Sequence, residues 1–85
     1  GSAGRLEETE RYLGMALNHD PKNASAWNNM GMLRLARRQT HEAEECFQRA
    51  VALDVLFLQA KMNLATIRLE SILSKQTLTS GGKRP

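Results

Sequence analysis

The chain has 85 residues, 41% of them hydrophobic and 25% charged, which allows one domain at most and excludes a disordered chain. Its net charge is +3, but Lys83 and Arg84 stand in the terminal Gly-Gly-Lys-Arg-Pro, and the one cluster elsewhere is Arg34, Arg37 and Arg38. A nucleic-acid binder concentrates its cations on one face, so no nucleic-acid partner is expected.

Four helical segments are predicted, with no strand pattern between them. Residues 1–4 read as a vector-derived scar or a flexible N-terminus. The first segment spans about Leu6 to Asn18, with Leu6, Leu13, Ala16 and Leu17 at helical spacing and Tyr12 and Met15 widening the stripe. It breaks at His19-Asp20-Pro21-Lys22-Asn23, because Pro21 disfavours helical geometry at Asp20. The second spans about Ala24 to Arg38, with Asn23 as N-cap. Trp27, Met30, Gly31, Leu35 and Ala36 form its apolar face, with Leu33 at the margin. The third spans about His41 to Leu53, with Thr40 as cap and Glu42, Glu44 and Glu45 favouring its first turn. Ala43, Cys46, Phe47, Ala50, Val51 and Leu53 make its apolar side. The fourth spans about Leu56 to Lys75 and carries two apolar stripes. Phe57, Ala60, Leu64 and Ile67 form one, and Leu58, Met62, Ala65, Leu69 and Ile72 the other. A helix apolar over so much of its circumference expects neighbours on more than one side. A flexible tail is expected at residues 77–85.

A shift of 34 residues lays the second segment on the fourth. Ala26 meets Ala60, Asn29 meets Asn63, Met30 meets Leu64, Gly31 meets Ala65, Arg34 meets Arg68 and Leu35 meets Leu69. The same shift lays the first on the third, with Glu8 on Glu42, Glu10 on Glu44, Leu13 on Phe47, Ala16 on Ala50 and Asp20 on Asp54. One register serves both comparisons. A period of that length in helix–turn–helix units, with Trp-x2-Leu-Gly, then Ala-x3-Phe, marks a repeat architecture. Trp27-x2-Met30-Gly31 and Ala43-x3-Phe47 followed by Ala50 resemble the tetratricopeptide repeat. The resemblance covers about Leu6 to Ile72, as one full repeat between two half repeats. It implies an all-α fold, with antiparallel helix–turn–helix repeats stacked as a short right-handed superhelical solenoid of four helices. Arg34 stands in place of the usual aromatic, Val55 in place of the usual proline, and Lys61 where Trp27 stands one period earlier. Gly31, Ala43, Ala50 and Ala65 are expected to be small because paired helices approach closely there.

Catalytic constellations are poor. His19 and His41 lie 22 residues apart, and His41 and Cys46 lie five apart, on different faces of a helix. A Cys–His nucleophile or a zinc site needs tighter convergence. Glu42, Glu44 and Glu45 read as a solvated helix start, and Gly81-Gly82-Lys83 lacks the strand–loop–helix context of a phosphate loop. No enzymatic activity, metal or cofactor is expected. Cys46 reads as a small packed hydrophobe. No run of about 18 apolar residues suggests a membrane span, and no secretory leader is visible. A single cysteine fits a reducing compartment, so a cytoplasmic protein is expected.

The resemblance implies a protein–protein interaction or scaffold module, cut from a longer array. The first helix of each pair would line the concave face and bind an extended peptide or partner protein. On the second segment those residues are Ser25, Asn28, Asn29, Met32 and Leu35. On the fourth they are Gln59, Met62, Asn63, Thr66, Leu69 and Glu70. Asn29 and Asn63 recur at the period, and an amide can both donate to and accept from a peptide backbone. One variant of the family clamps a chaperone's terminal carboxylate with lysines and an arginine beside asparagines. Here Asn29 alone fits that pattern, with Gln59 and Asn63 where the clamp wants cations. Two other readings stand beside this one: self-association through exposed helix edges, by dimerisation or domain swapping, and recruitment of substrate to a catalytic domain outside the chain.

Overall fold

The computed structural model describes residues 2–83, with side chains described for 4–76. It contains α1 (Ser2–His19), α2 (Ala24–Ala36), α3 (Thr40–Leu53) and α4 (Leu58–Lys83), with no strand among the described residues. Each helix packs on its neighbour in the chain, α1 on α2, α2 on α3 and α3 on α4. The result is the all-α helical-repeat architecture expected. Of the ends expected to be flexible, residues 2–4 stand in α1 and 77–83 in α4, and residues 1, 84 and 85 lie outside the described set.

The two turns leading into α2 and α4 are built alike. Asp20 accepts from the Lys22 N–H through its carboxylate at 3.0 Å and from the Asn23 N–H through its carbonyl at 3.1 Å. One period later, Asp54 accepts from Leu56 at 3.1 Å and from Phe57 at 3.1 Å in the same two ways. The aspartate makes the turn, so Val55 in place of proline leaves it intact. The helix starts differ. Asn23 caps α2 through its side chain, accepting from the Ala26 N–H at 3.0 Å. Phe57, its counterpart, has no side-chain acceptor to offer, so α4 begins without that bond.

The α2–α3 turn departs from the sequence expectation. α2 ends at Ala36 rather than Arg38, because Arg38 adopts φ 62°. The Gln39 N–H reaches the Arg34 carbonyl at 2.8 Å and the Arg38 N–H reaches Leu35 at 2.9 Å. This is a Schellman closure with arginine in the left-handed position that glycine usually takes. Thr40 is therefore the first residue of α3 and not its cap. The cap position belongs to Gln39, which makes no side-chain capping bond and instead accepts from Arg34 Nη1 at 3.2 Å.

The core repeats with the chain. Met30 and Leu33 of α2 pack with Cys46 of α3, flanked by Leu13 and Leu17 of α1. Leu64 and Ile67 of α4 pack with Ala43 and Phe47 of α3, flanked by Val51. Shifting the second cluster back by 34 lands Leu64 on Met30, Ile67 on Leu33, Phe47 on Leu13 and Val51 on Leu17. Leu33 is thus a core residue and not marginal, while Leu35 and Ala36 are exposed. Residues two apart on a helix point about 200° apart, so only one of Leu33 and Leu35 can face inward.

α2 and α3 approach closely at Gly31. A Cβ placed on Gly31 would lie 2.6 Å from Phe47 Cε1 and 2.8 Å from Cδ1, so the glycine admits the ring. Ala43 and Ala50 are fully buried, as close packing requires. Ala65 is exposed, because the face of α4 on which it sits carries no helix among the described residues.

Candidate protein-binding face

α2 and α4 occupy the same place in consecutive units, so equivalent residues on them form equivalent stripes. Ser25, Asn29 and Met32 lie one turn apart on α2, and Gln59, Asn63 and Thr66 lie at the same spacing on α4, with Glu70 a turn further. Ser25, Asn29, Met32, Leu35, Gln59, Met62, Thr66, Leu69 and Glu70 are all exposed. Met62 is 60% exposed and Met32 46% exposed, so the face offers unbranched apolar side chains between its polar groups. The Thr66 hydroxyl is turned inward to its own helix, donating to the Met62 carbonyl at 2.9 Å.

The two asparagines do not project alike. Asn63 is half-buried, and its Nδ2 donates to Oδ1 of Asn28 at 3.0 Å, bridging α4 to α2. Asn28 is 1% exposed and is therefore a strut between first helices, with no surface to present to a ligand. A buried amide left without its partner would lose about 1–3 kcal/mol, which explains why the two asparagines meet. Asn29, one residue along, is exposed and makes no side-chain hydrogen bond among the described residues. Its donors and acceptor face solvent.

Cations are withdrawn from this face. Arg34 turns toward α1, where Nη2 lies 3.1 Å from Glu10 Oε2, and Arg37 pairs with the same carboxylate. Arg68 lies 3.3 Å from Glu44. From the sequence Glu44 reads only as part of a solvated helix start and Glu10 as its counterpart one period earlier, although these acids and the arginines Arg34 and Arg68 recur together at the period. The coincidence of a matched acid and a matched base was the signal available. Trp27 is likewise structural, donating from Nε1 to the Pro21 carbonyl at 2.8 Å while Arg49 stacks over its ring at 4.7 Å. Cys46 is buried, and that burial raises its thiol pKa above the usual range, which suits a packed residue and not a nucleophile. No group of three or more His, Cys, Asp or Glu side chains able to hold a metal occurs among the described residues.

Residues 12–45 match the family model of the tetratricopeptide repeat. That stretch of the chain is a tetratricopeptide repeat. The matched stretch is one 34-residue period long, entering in α1, crossing the Asp20 turn and all of α2, and ending in α3. Tetratricopeptide repeats bind proteins or peptides and are typically non-catalytic. A comparison with curated proteins gives no match. No helix among the described residues is long and apolar enough to cross a membrane.

Proposed function

We propose that the chain holds an extended segment of a partner protein across α2 and α4. The observation that carries this reading is the exposed, unpartnered amide of Asn29 beside the Asn63–Asn28 bridge. An extended peptide has one donor and one acceptor per residue, and a primary amide answers both. Ser25 and Gln59 supply further polar partners, and Met32, Leu35 and Met62 accommodate side chains of varied shape, as methionine does on adaptable surfaces. With Arg34 and Arg68 held in ion pairs, the face lacks the cations that a terminal carboxylate would need. The ligand class is an internal, uncharged stretch of chain and not an acidic tail.

The test is partner capture on the immobilised chain, comparing the native sequence with Asn29→Ala. Losing one backbone-directed hydrogen bond of about 0.5–1.5 kcal/mol should weaken binding by about twofold to tenfold. Met32→Glu, which places a charge on an apolar part of the same face, should weaken it further. Capture undiminished in both variants would contradict the reading.

A further inference from the structure

We propose that Thr40 is a phosphorylation site for a kinase with acidic subsites, and that the phosphate secures the start of α3. The inference does not rest on the peptide-binding face. Thr40 follows Arg37, Arg38 and Gln39, so arginines stand two and three residues before a hydroxyl. No other Ser, Thr or Tyr in the sequence has a lysine or arginine at both places. Kinases select substrates by charge pattern, and carboxylate-lined subsites would take the two guanidinium groups through charge-assisted hydrogen bonds.

The fold presents the cations and the hydroxyl together. Arg38, in the left-handed position, is exposed and makes no ion pair among the described residues. Arg37 is paired with Glu10 but keeps 28% of its side-chain surface open. Thr40 is exposed, and its hydroxyl makes no hydrogen bond among the described residues. Gln39 supplies no side-chain capping bond, so opening the first turn of α3 into a kinase cleft breaks none. In the transfer, Thr40 Oγ1 attacks the γ-phosphorus of a nucleoside triphosphate. The bond to the bridging oxygen breaks, the diphosphate leaves, and the hydroxyl proton passes to the kinase's base. The phosphate then stands on the first residue of α3, beside first-turn N–H groups that lack a side-chain cap and two residues from Arg38. Glu42 opposes it from the same turn, and Glu70 of α4 from a shallow depression that Thr40 shares with Lys75, whose charge offsets that of Glu70. Ser71 is the contrast. Arg68 stands three residues before it, but that arginine is paired with Glu44, and Glu70 is adjacent.

The full chain, incubated with ATP and a purified kinase whose substrate cleft carries acidic subsites, tests this, with the modified residue mapped by peptide mass spectrometry. One phosphoryl group should appear, on Thr40. Arg38→Gln should slow its transfer about tenfold or more, the loss of one charged hydrogen bond, while Arg38→Lys, which keeps a cation, should retain most of the rate. Thermal melts of both variants show that the fold is intact. The phosphorylated chain should melt above the unmodified one. Four results would overturn the proposal: Thr40 left unmodified; Ser71 or another hydroxyl taken in preference; a rate unchanged by Arg38→Gln; or a phosphorylated chain that melts no higher than the unmodified one.

Discussion

Arg68 on α4 meets Glu44 on α3 at 3.3 Å, and Arg34 on α2 meets Glu10 on α1 at 3.1 Å, the same ion pair one period apart. Arg34 looks like a lapse from the repeat pattern when read alone, because an aromatic is usual there. In the fold it is a second solution used in both units: a cation on the first helix reaching back to an acid on the preceding one. The earlier copy is the better developed, since Glu10 also receives Arg37 and Arg34 also donates to Gln39.

Unequal loss is expected from the two acids. Glu10→Gln removes a carboxylate shared by two arginines and should cost about 1 kcal/mol, the upper end for partly exposed pairs. Glu44→Gln faces an arginine that is half exposed and should cost less than about 0.5 kcal/mol. Urea denaturation at low and high salt checks both, because the Glu10 effect should shrink as salt screens the pair.

Gly31→Ala should destabilise the chain by about 1–3 kcal/mol, since the new methyl meets a Phe47 ring with no room to retreat. Ala50→Leu, at a fully buried position, should act in the same direction. Ala65→Leu at the equivalent of Gly31 should leave the monomer's midpoint nearly unchanged, because that face is open. Thermal melts of the three variants, taken at low concentration, separate the covered position from the uncovered one.

Arg38→Gly should stabilise the chain. Arginine at φ 62° carries about 1–2 kcal/mol of left-handed strain that glycine lacks. Glycine's greater unfolded-state entropy returns part of that, leaving a gain of about 0.5–1 kcal/mol. A rise in the denaturation midpoint with an unchanged slope is the expected readout.

The repeat and most of the core were legible before the fold was known, because period-3.6 stripes and a 34-residue shift both leave marks in one sequence. Ala26, Met30, Ala60, Leu64 and Ile67 are core residues for that reason. What escaped depends on contacts between distant residues. Nothing near Asn28 signals its burial, because the partner that satisfies it is Asn63, 35 residues away. Leu33 and Leu35 are equally apolar, and only the placement of α1 and α3 decides which turns inward. The end of α2 was misplaced because the left-handed residue there is arginine, and arginine carries no stop signal.

Cys46 offers a check on that core. Its thiol should react slowly with an aromatic disulfide reagent in the folded chain and rapidly in denaturant. Because burial raises its folded pKa above the unfolded value, the folded state holds the proton more tightly. The associated stability is fully present below the unfolded pKa and is lost as pH rises through the folded one. Stability should therefore fall on the alkaline side of the ordinary thiol range, and Cys46→Ala should remove that part of the decline.

The central claim is that α2 and α4 together form the face that receives a partner. Backbone amide shifts in a captured partner complex, compared with the free chain, test it most directly. The account predicts the largest changes at Ser25, Asn29 and Met32 on α2 and at Gln59, Asn63 and Thr66 on α4. Changes confined to the outer surfaces of α1 and α3, with those six amides unmoved, would contradict it.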